Sequence, residues 1–423
     1  MPFKALHLAD IHIGMENYGR IDPDTGLHTR LQDFVKCLGF AVETALEEEV
    51  DLVLFAGDAY RTCDPNPTHQ RAFAAQFRRF SDAGIPVVMI VGNHDNPVSF
   101  GKATSIDIFG TLNRGEVRIV ARPERLVIDT KSGKAQVACL PWPMKSTIMT
   151  QEQYKGLSET EIRTQIEDIC TRIIQTFADE MIPDHPAFLM SHITATDATL
   201  AGTERAAVIG HDPTILTSVL ANPAFDYVAL GHVHKFQDLN PTGKPHVIYP
   251  GSVERVDFGE EHEACGFCIV EYEGKGQTSY RFIETPARPF VTIDVEIPPD
   301  EPPTEYMIRA IRRRNLTNAV VRVIYTVAEE QQHLADIKEV REALEEAFLV
   351  ASIIRKTEAP ERVRRASVSE ELNIQEALDR YFENNPTLKP FVEDMKSYAR
   401  QLEHELFEEE QGRMQNVEPG AKE

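Results

Sequence analysis

The sequence predicts an α/β protein, because strand-like apolar runs alternate with helix-like stretches over its first two thirds, and five of those runs end in residues able to hold a metal ion. The stretch "DYVALGHVH" shows the construction: Asp226 to Leu230 suit a buried strand and deliver the chain into Gly231, His232, Val233 and His234. Just past a strand end, two imidazoles one residue apart can converge on one point, and a metal ion is the usual occupant of such a point. Open α/β sheets collect ligands just outside strand C-termini.

In chain order, "FKALHLA" runs into "DIH", which carries Asp10 and His12. A helical stretch, "RLQDFVKCLGFAVETALEEEV", follows, and "DLVLFA" then leads to Gly57 and Asp58. A second helix, "THQRAFAAQFRRFSDAG", precedes "IPVVMIV" and the tetrad "GNHD", residues 92–95. "AFLM" ends in Ser191 and His192, and "DYVAL" in His232 and His234. For any one of these residues, a capping Asp or a loop His is the plainer reading. Five strand ends built alike carry the metal reading. The donors Asp10, His12, Asp58, Asn93, His192, His232 and His234 include no thiolate, which suits a paired Mn, Fe or Zn site better than a structural zinc. One carboxylate can bridge two ions about 3.5–4 Å apart.

At 423 residues with 42% hydrophobic content, the chain has room for two or three domains and a large core. The N-terminus alternates like a strand and lacks signal-peptide features, and no apolar run approaches a membrane span, so a cytoplasmic location is expected. The six cysteines are scattered, which fits a reducing compartment. In "CGFC", Cys265 and Cys268 lie in a strand-like setting, where residues three apart point to opposite faces, so core packing is expected. Acidic residues outnumber basic ones, 67 to 44, for a net charge of -23. That excludes a protein that coats nucleic acid by bulk charge, but not an enzyme that meets phosphate through metal ions.

The order Asp-x-His, Gly-Asp, Gly-Asn-His-Asp, lone His, Gly-His-x-His resembles the calcineurin-type metallophosphoesterases over roughly residues 1–285. "YPGSVERVDFGEE" and "DPNPTHQR" are similar to stretches of the SbcD-type nucleases, bacterial counterparts of the meiotic recombination eleven nuclease. The resemblance implies a sandwich of two sheets flanked by helices, with a small α/β cap domain and a C-terminal helical element. It implies two divalent ions, Mn²⁺ by expectation: Asp10, His12 and His234 at the first, Asn93, His192 and His232 at the second, and Asp58 bridging. His94 would contact the scissile phosphate and protonate the leaving oxygen, with Asp95 orienting its ring. Some relatives carry His three residues after the bridging Asp; Arg61 stands there in this chain, a candidate phosphate contact or a surface residue. In the loop "TLAGTERAAVIGHD", Arg205 and its neighbours receive no role.

Beyond residue 285 the pattern changes to β-α-β-α-β, with "TEYMIRAIRRRN" and "HLADIKEVREALEEAF" as its helices. The expected domains are 1–285, 286–360 and 361–423. Arg309, Arg312, Arg313 and Arg314 form a basic cluster that suits a solvated helix face slightly better than a DNA contact. Past residue 361, one amphipathic stripe runs from Ile374 to Phe382 and another from Leu388 to Leu406. Such stripes pack onto their own domain or onto a partner, and the resemblance favours a partner: the coiled coil of an SbcC-type ATPase, within a heterotetramer built on a homodimer. The expected activity is hydrolysis of DNA phosphodiesters, as a 3'-5' exonuclease and endonuclease in repair, recombination and replication. A phosphatase or small phosphodiesterase is the alternative, although "GDAYRTC" and "GNHD" differ from the "GDxVDRG" and "GNHE" of protein phosphatases.

Overall fold

The computed structural model describes residues 2–97, 102–112, 116–144, 157–201 and 212–356, together with Ser397. Contacts divide the chain into Met1–Arg355 and Lys356–Glu423. The predicted C-terminal stripes and Arg205 lie outside the described residues.

Period-two side chains on β1 (Phe3–Leu8) set the layering. Phe3 and Ala5 enter one apolar cluster, while Leu6 and Leu8 enter another on the opposite face. The strands β2 (Leu52–Phe55), β3 (Val87–Ile90) and β4 (Val117–Val120) extend this sheet in parallel. The chain then builds a second sheet from β5 (Glu124–Thr130), β6 (Gly133–Leu140) and β7 (Ala187–His192). After the short pair β8 (Thr194–Ala195) and β9 (Thr214–Ile215), it adds β10 (Tyr227–Gly231), β11 (Gln237–Asp238) and β12 (His246–Tyr249). The hairpin β13 (Gly266–Tyr272) and β14 (Thr278–Glu284) returns to the first sheet beside β1. The six-stranded orders are β14-β13-β1-β2-β3-β4 and β11-β12-β10-β7-β6-β5.

The inner faces share one core, with Ala5, Leu54, Val88 and Ile90 against Val137, Phe188, Met190 and Ala229. Cys268 is buried in this layer, and Cys265 is also buried, as core packing requires. His7 spans the layer to the Tyr227 hydroxyl and the Leu230 carbonyl, and burial pushes its pKa down to about 3. The helices α1 (Thr29–Glu47) and α2 (Pro67–Asp82) cover the outside of the first sheet through Phe34, Leu38, Phe73 and Phe77. Short α3 (Asp107–Leu112) lies beside β4. On the second sheet, α4 (Glu159–Asp179) is started by a Ser158–Glu161 capping box and packs Ile162, Ile166 and Ile174 against Leu189 and Val228. The four-residue α5 (Thr217–Leu220) joins that cluster through Leu220. The architecture is therefore the expected two-sheet sandwich flanked by helices.

A parallel three-stranded sheet follows: β15 (Phe290–Glu296), β16 (Val320–Thr326) and β17 (Leu349–Arg355). Helices α6 (Pro303–Ile311) and α7 (Ile337–Glu342) bury Met307, Ile311, Val340 and Leu344 on it. The stretch expected to be one helix from His333 to Phe348 is shorter, because the Asp336 side chain accepts from Lys338 N and Glu339 N and starts a new helix there. The basic cluster on α6 is largely offset by acids. Arg309 bonds Glu301, and Arg312 and Arg314 line a groove of about 530 Å³ with Glu339, Glu342, Glu345 and Glu346.

Candidate metal centre

Because β1, β2 and β3 run parallel in one sheet and β6, β7 and β10 in the other, their C-terminal ends gather along one edge of the sandwich. The five predicted ligand-bearing segments start there. Asp10, His12, Asp58 and His232 all have left-handed backbones, with φ of 52°, 50°, 61° and 97°. Such conformations cost of order 1–3 kcal/mol each in non-glycine residues and persist only where the surroundings enforce them. Here the enforcement is a short ladder: Asp10 N donates to Gly57 O at 3.0 Å, Ile11 N to Asp58 O at 2.9 Å and Ile13 N to Ala59 O at 3.1 Å. The turns also need glycine. A Cβ on Gly92 would collide with the Asp58 carboxylate, and one on Gly231 with the Ala56 carbonyl.

All seven sequence-predicted ligands meet at this edge. Donor atoms of Asp10, His12 and His234 lie within 4.8 Å of one another, as do those of Asp10, Asp58 and His192. Asn93 Oδ1 stands 2.9 Å from His192 Nε2 and 3.2 Å from His232 Nδ1. Asp58 Oδ2 lies between the two groups, 3.8 Å from His12 Nε2 and 3.4 Å from His192 Nε2.

The hydrogen bonds assign tautomers that favour a cation. His192 Nδ1 donates to the Ala56 carbonyl at 2.7 Å, His232 Nε2 to Asp212 at 3.0 Å and His234 Nδ1 to Glu260 at 2.7 Å. With the outer sides of these rings committed, the inner nitrogens turn toward one centre: His192 Nε2 and His232 Nδ1 toward Asn93 Oδ1, and His234 Nε2 toward His12 Nε2 at 2.9 Å. Outer acceptors of this kind are the usual support of histidine ligands, and they leave the inner nitrogens aimed where a cation can replace the protons. The oxygen and nitrogen donors fit divalent ions such as Mn²⁺.

Electrostatics point the same way. Burial raises the pKa of Asp10 to about 7, against the pull of His192 and His234. Burial opposes charge on His192 too, but Asp58 and Asp10 outweigh it and lift its pKa to about 9. Asp58 suffers the same burial, yet His192, His12 and His94 hold its carboxyl well below the usual range. The site thus buries negative charge that only protons or cations can offset.

His94 is exposed at the rim, where its Nδ1 donates to the Arg61 carbonyl at 2.7 Å and its ring meets His12 edge-on at 4.9 Å. The expectation that Asp95 orients this ring is corrected. The fully buried Asp95 carboxylate instead accepts from Asp58 N at 2.8 Å, Ala59 N at 3.2 Å, Gly92 N at 3.1 Å and Ser105 Oγ at 2.9 Å. It therefore ties the Asp58 turn to the Asn93 turn. Burial, then Asp58, raises its pKa to about 6. The Arg61 side chain lies along Met15, with Nη1 3.0 Å from the sulfur, while its backbone holds His94.

Sequence reading missed three contributors. Asp212 and Glu260 support His232 and His234, and both lay in quoted stretches without an assigned role. Trp142, the only tryptophan, stacks 4.9 Å from the His232 ring and 6.1 Å from His192. It follows β6, a sixth strand ending at the same edge, and that position was the available signal.

The pattern of the calcineurin-like phosphoesterases matches residues 3–236. The chain belongs to the calcineurin-like phosphoesterase family. Among curated members with similar sequences, the DNA double-strand break repair protein Mre11 of Halobacterium salinarum is 28% identical over 330 residues, covering 76% of this chain and 70% of its own. The Mre11 of Haloferax volcanii is also 28% identical, over 353 residues, 83% of this chain and 67% of its own. The SbcD component of the nuclease SbcCD of Rhodobacter capsulatus is 26% identical over 287 residues, 64% of this chain and 67% of its own. The family match spans every predicted ligand from Asp10 to His234.

Proposed function

We propose that this phosphoesterase is the nuclease component of a DNA-processing complex and hydrolyses phosphodiester bonds with two divalent ions, Mn²⁺ by preference, held by Asp10, His12 and His234 on one side and Asn93, His192 and His232 on the other, with Asp58 shared. The observation that carries the reading is the convergence of imidazole nitrogens and carboxylate and amide oxygens around Asp58. Bound cations would activate a water and offset charge on phosphorus during in-line attack. The chain's own residues do the rest. His94, with Nδ1 bonded to the Arg61 carbonyl, can hand a proton from Nε2 to the departing sugar oxygen, worth roughly 10²–10⁴ in rate. Exposed Arg61, whose guanidinium lies against the Met15 sulfur, is the candidate to grip a flanking phosphate.

Relatives named as a DNA double-strand break repair protein and as a nuclease subunit support DNA as substrate and nuclease action; 3'-5' exonuclease and endonuclease action, an SbcC-type ATPase partner bound through residues 361–423 and a cytoplasmic setting are parts of the same proposal. Among the described residues no helix is long and apolar enough to cross a membrane. A homodimer belongs to the same proposal.

The test is cleavage by the purified chain, with and without Mn²⁺, of linear DNA, circular DNA and a small phosphodiester, alongside metal counting in Asp58→Asn. The expected outcome is metal-dependent DNA cleavage, with the variant unable to hold two ions and largely inactive. Hydrolysis of the small ester with DNA untouched would favour a phosphodiesterase. Normal activity with two ions in the variant would refute the shared position of Asp58.

A further inference from the structure

Glu260 is 4% exposed and does two things at once. Its Oε1 accepts the His234 Nδ1 proton at 2.7 Å, and its Oε2 accepts from Val256 N at 2.9 Å and Ser252 Oγ at 3.2 Å. It ends a single 3₁₀ turn, Phe258–Glu260, in which Asp257 Oδ1 accepts from Gly259 N at 2.6 Å. The residues flanking Glu260 are committed elsewhere, to the three-stranded unit. Phe258 packs edge-on against Phe290 of β15 at 4.9 Å, under the Arg322 guanidinium at 4.3 Å. Glu261 accepts from Thr292 N at 2.7 Å and from the Thr292 hydroxyl, which in turn accepts from Arg322 Nε at 2.8 Å.

The loop that carries Asp10 and His12 reaches the same contact. Tyr18, held at φ 61°, stacks edge-on with Phe258 at 5.1 Å and Phe290 at 5.7 Å. Both polypeptide segments behind Asp10, His12 and His234 are therefore seated on β15. The outer supports of His192 and His232, the Ala56 carbonyl and Asp212, belong to the two-sheet body.

We infer that Glu260 is a positioning residue for His234 and that the three-stranded unit holds it in place, so that the cation affinity of the Asp10–His12–His234 half is set by how that unit is seated. The inference rests on the divalent-cation reading of the site. An imidazole ligand binds only when its donor nitrogen is aimed, and among the described contacts the Glu260 carboxylate holds the outer nitrogen of His234. That carboxylate sits between two side chains gripped by β15 and β16, so displacing the unit displaces the acceptor. The other half keeps its aim because its acceptors do not move with the unit.

The test is Mn²⁺ titration calorimetry on the full chain, with melting recorded for each variant. Wild type is expected to bind two ions. Glu260→Ala should weaken one of them by about 10–100-fold while the other keeps its affinity, and Glu260→Gln, whose amide oxygen can still accept from His234 but whose NH2 no longer accepts from Val256 N, should recover part of the loss. Glu261→Ala leaves every ligand and Glu260 intact, and should weaken the same ion by about severalfold; Thr292→Val serves the same purpose if that variant melts early. The affinity loss from His234→Ala should not grow on adding Glu260→Ala, because both act on one ion. Equal weakening of both ions by Glu260→Ala would overturn the positioning role. Unchanged affinities in folded Glu261→Ala and Thr292→Val would overturn the link to the three-stranded unit. A wild-type chain that takes up no Mn²⁺ would instead overturn the metal-centre reading beneath it.

Discussion

His192 sits between the Asp58 carboxylate and the Ala56 carbonyl, and this setting makes metal uptake depend on pH. Without a cation, the pKa of His192 is raised to about 9 and that of Asp10 to about 7. A ligand must be deprotonated to bind, so an entering ion displaces one proton between those values and two below the lower one. Apparent Mn²⁺ affinity should therefore rise with pH, by about tenfold per unit from about 7 to 9 and more steeply below 7. Calorimetry in buffers of different ionisation heat counts the released protons, and a pH-independent affinity would refute this account. His94 gives the complementary prediction. Its ring is held by a backbone carbonyl at the rim, so His94→Gln should retain both ions yet lose roughly 10²–10⁴ in cleavage rate. Metal analysis beside single-turnover kinetics separates the two effects.

Between elements, Asp95 joins two strand ends. Its carboxylate satisfies backbone N–H groups of the turns after β2 and β3, positions where the left-handed Asp58 and the crowded Gly92 leave little freedom. Asp95→Ala would strand these buried donors at about 1–3 kcal/mol each and release both ligand turns. The expected outcome is a lower denaturation midpoint together with loss of both ions, where a ligand deletion would chiefly disturb the ions. Asp95→Asn, which keeps one acceptor oxygen, should fall between. A variant with wild-type stability and two tightly held ions would contradict the bracing role.

On the scale of the whole molecule, the described residues that bond the ligands lie between β1 and the turn ending at Glu260, and the strands β15 and β16 that seat that turn also precede residue 356. Residues 361–423 fall in a separate contact unit. Removing them is expected to leave metal content and cleavage of simple DNA intact, and to abolish co-purification with an SbcC-type ATPase. The same preparation is expected to sediment as a dimer, because the proposed homodimer is built on the phosphoesterase region and that region is retained. A truncated chain that still captures the ATPase, or one that loses its metals, would assign the C-terminal region a different role.

The sequence by itself determined the α/β class and the seven ligand candidates, because each lies within a few residues of an apolar run whose period and ending are local properties; the sandwich followed from the family resemblance of the motif order. The cysteines were legible for the same reason: "ACGFCIVEY" reads as a buried strand whatever surrounds it. The tertiary structure decided what the local chain could not encode. Asp95 adjoins His94 in sequence, yet a turn after Gly92 points its carboxylate into the core, toward backbone donors 36 and 37 residues earlier. Glu260 and Asp212 became visible only when folding brought them to His234 and His232, 26 and 20 residues away. Hydrogen-bond partners are chosen by proximity in space, and the pairing of the two sheets fixes that proximity over separations that local periodicity does not reach.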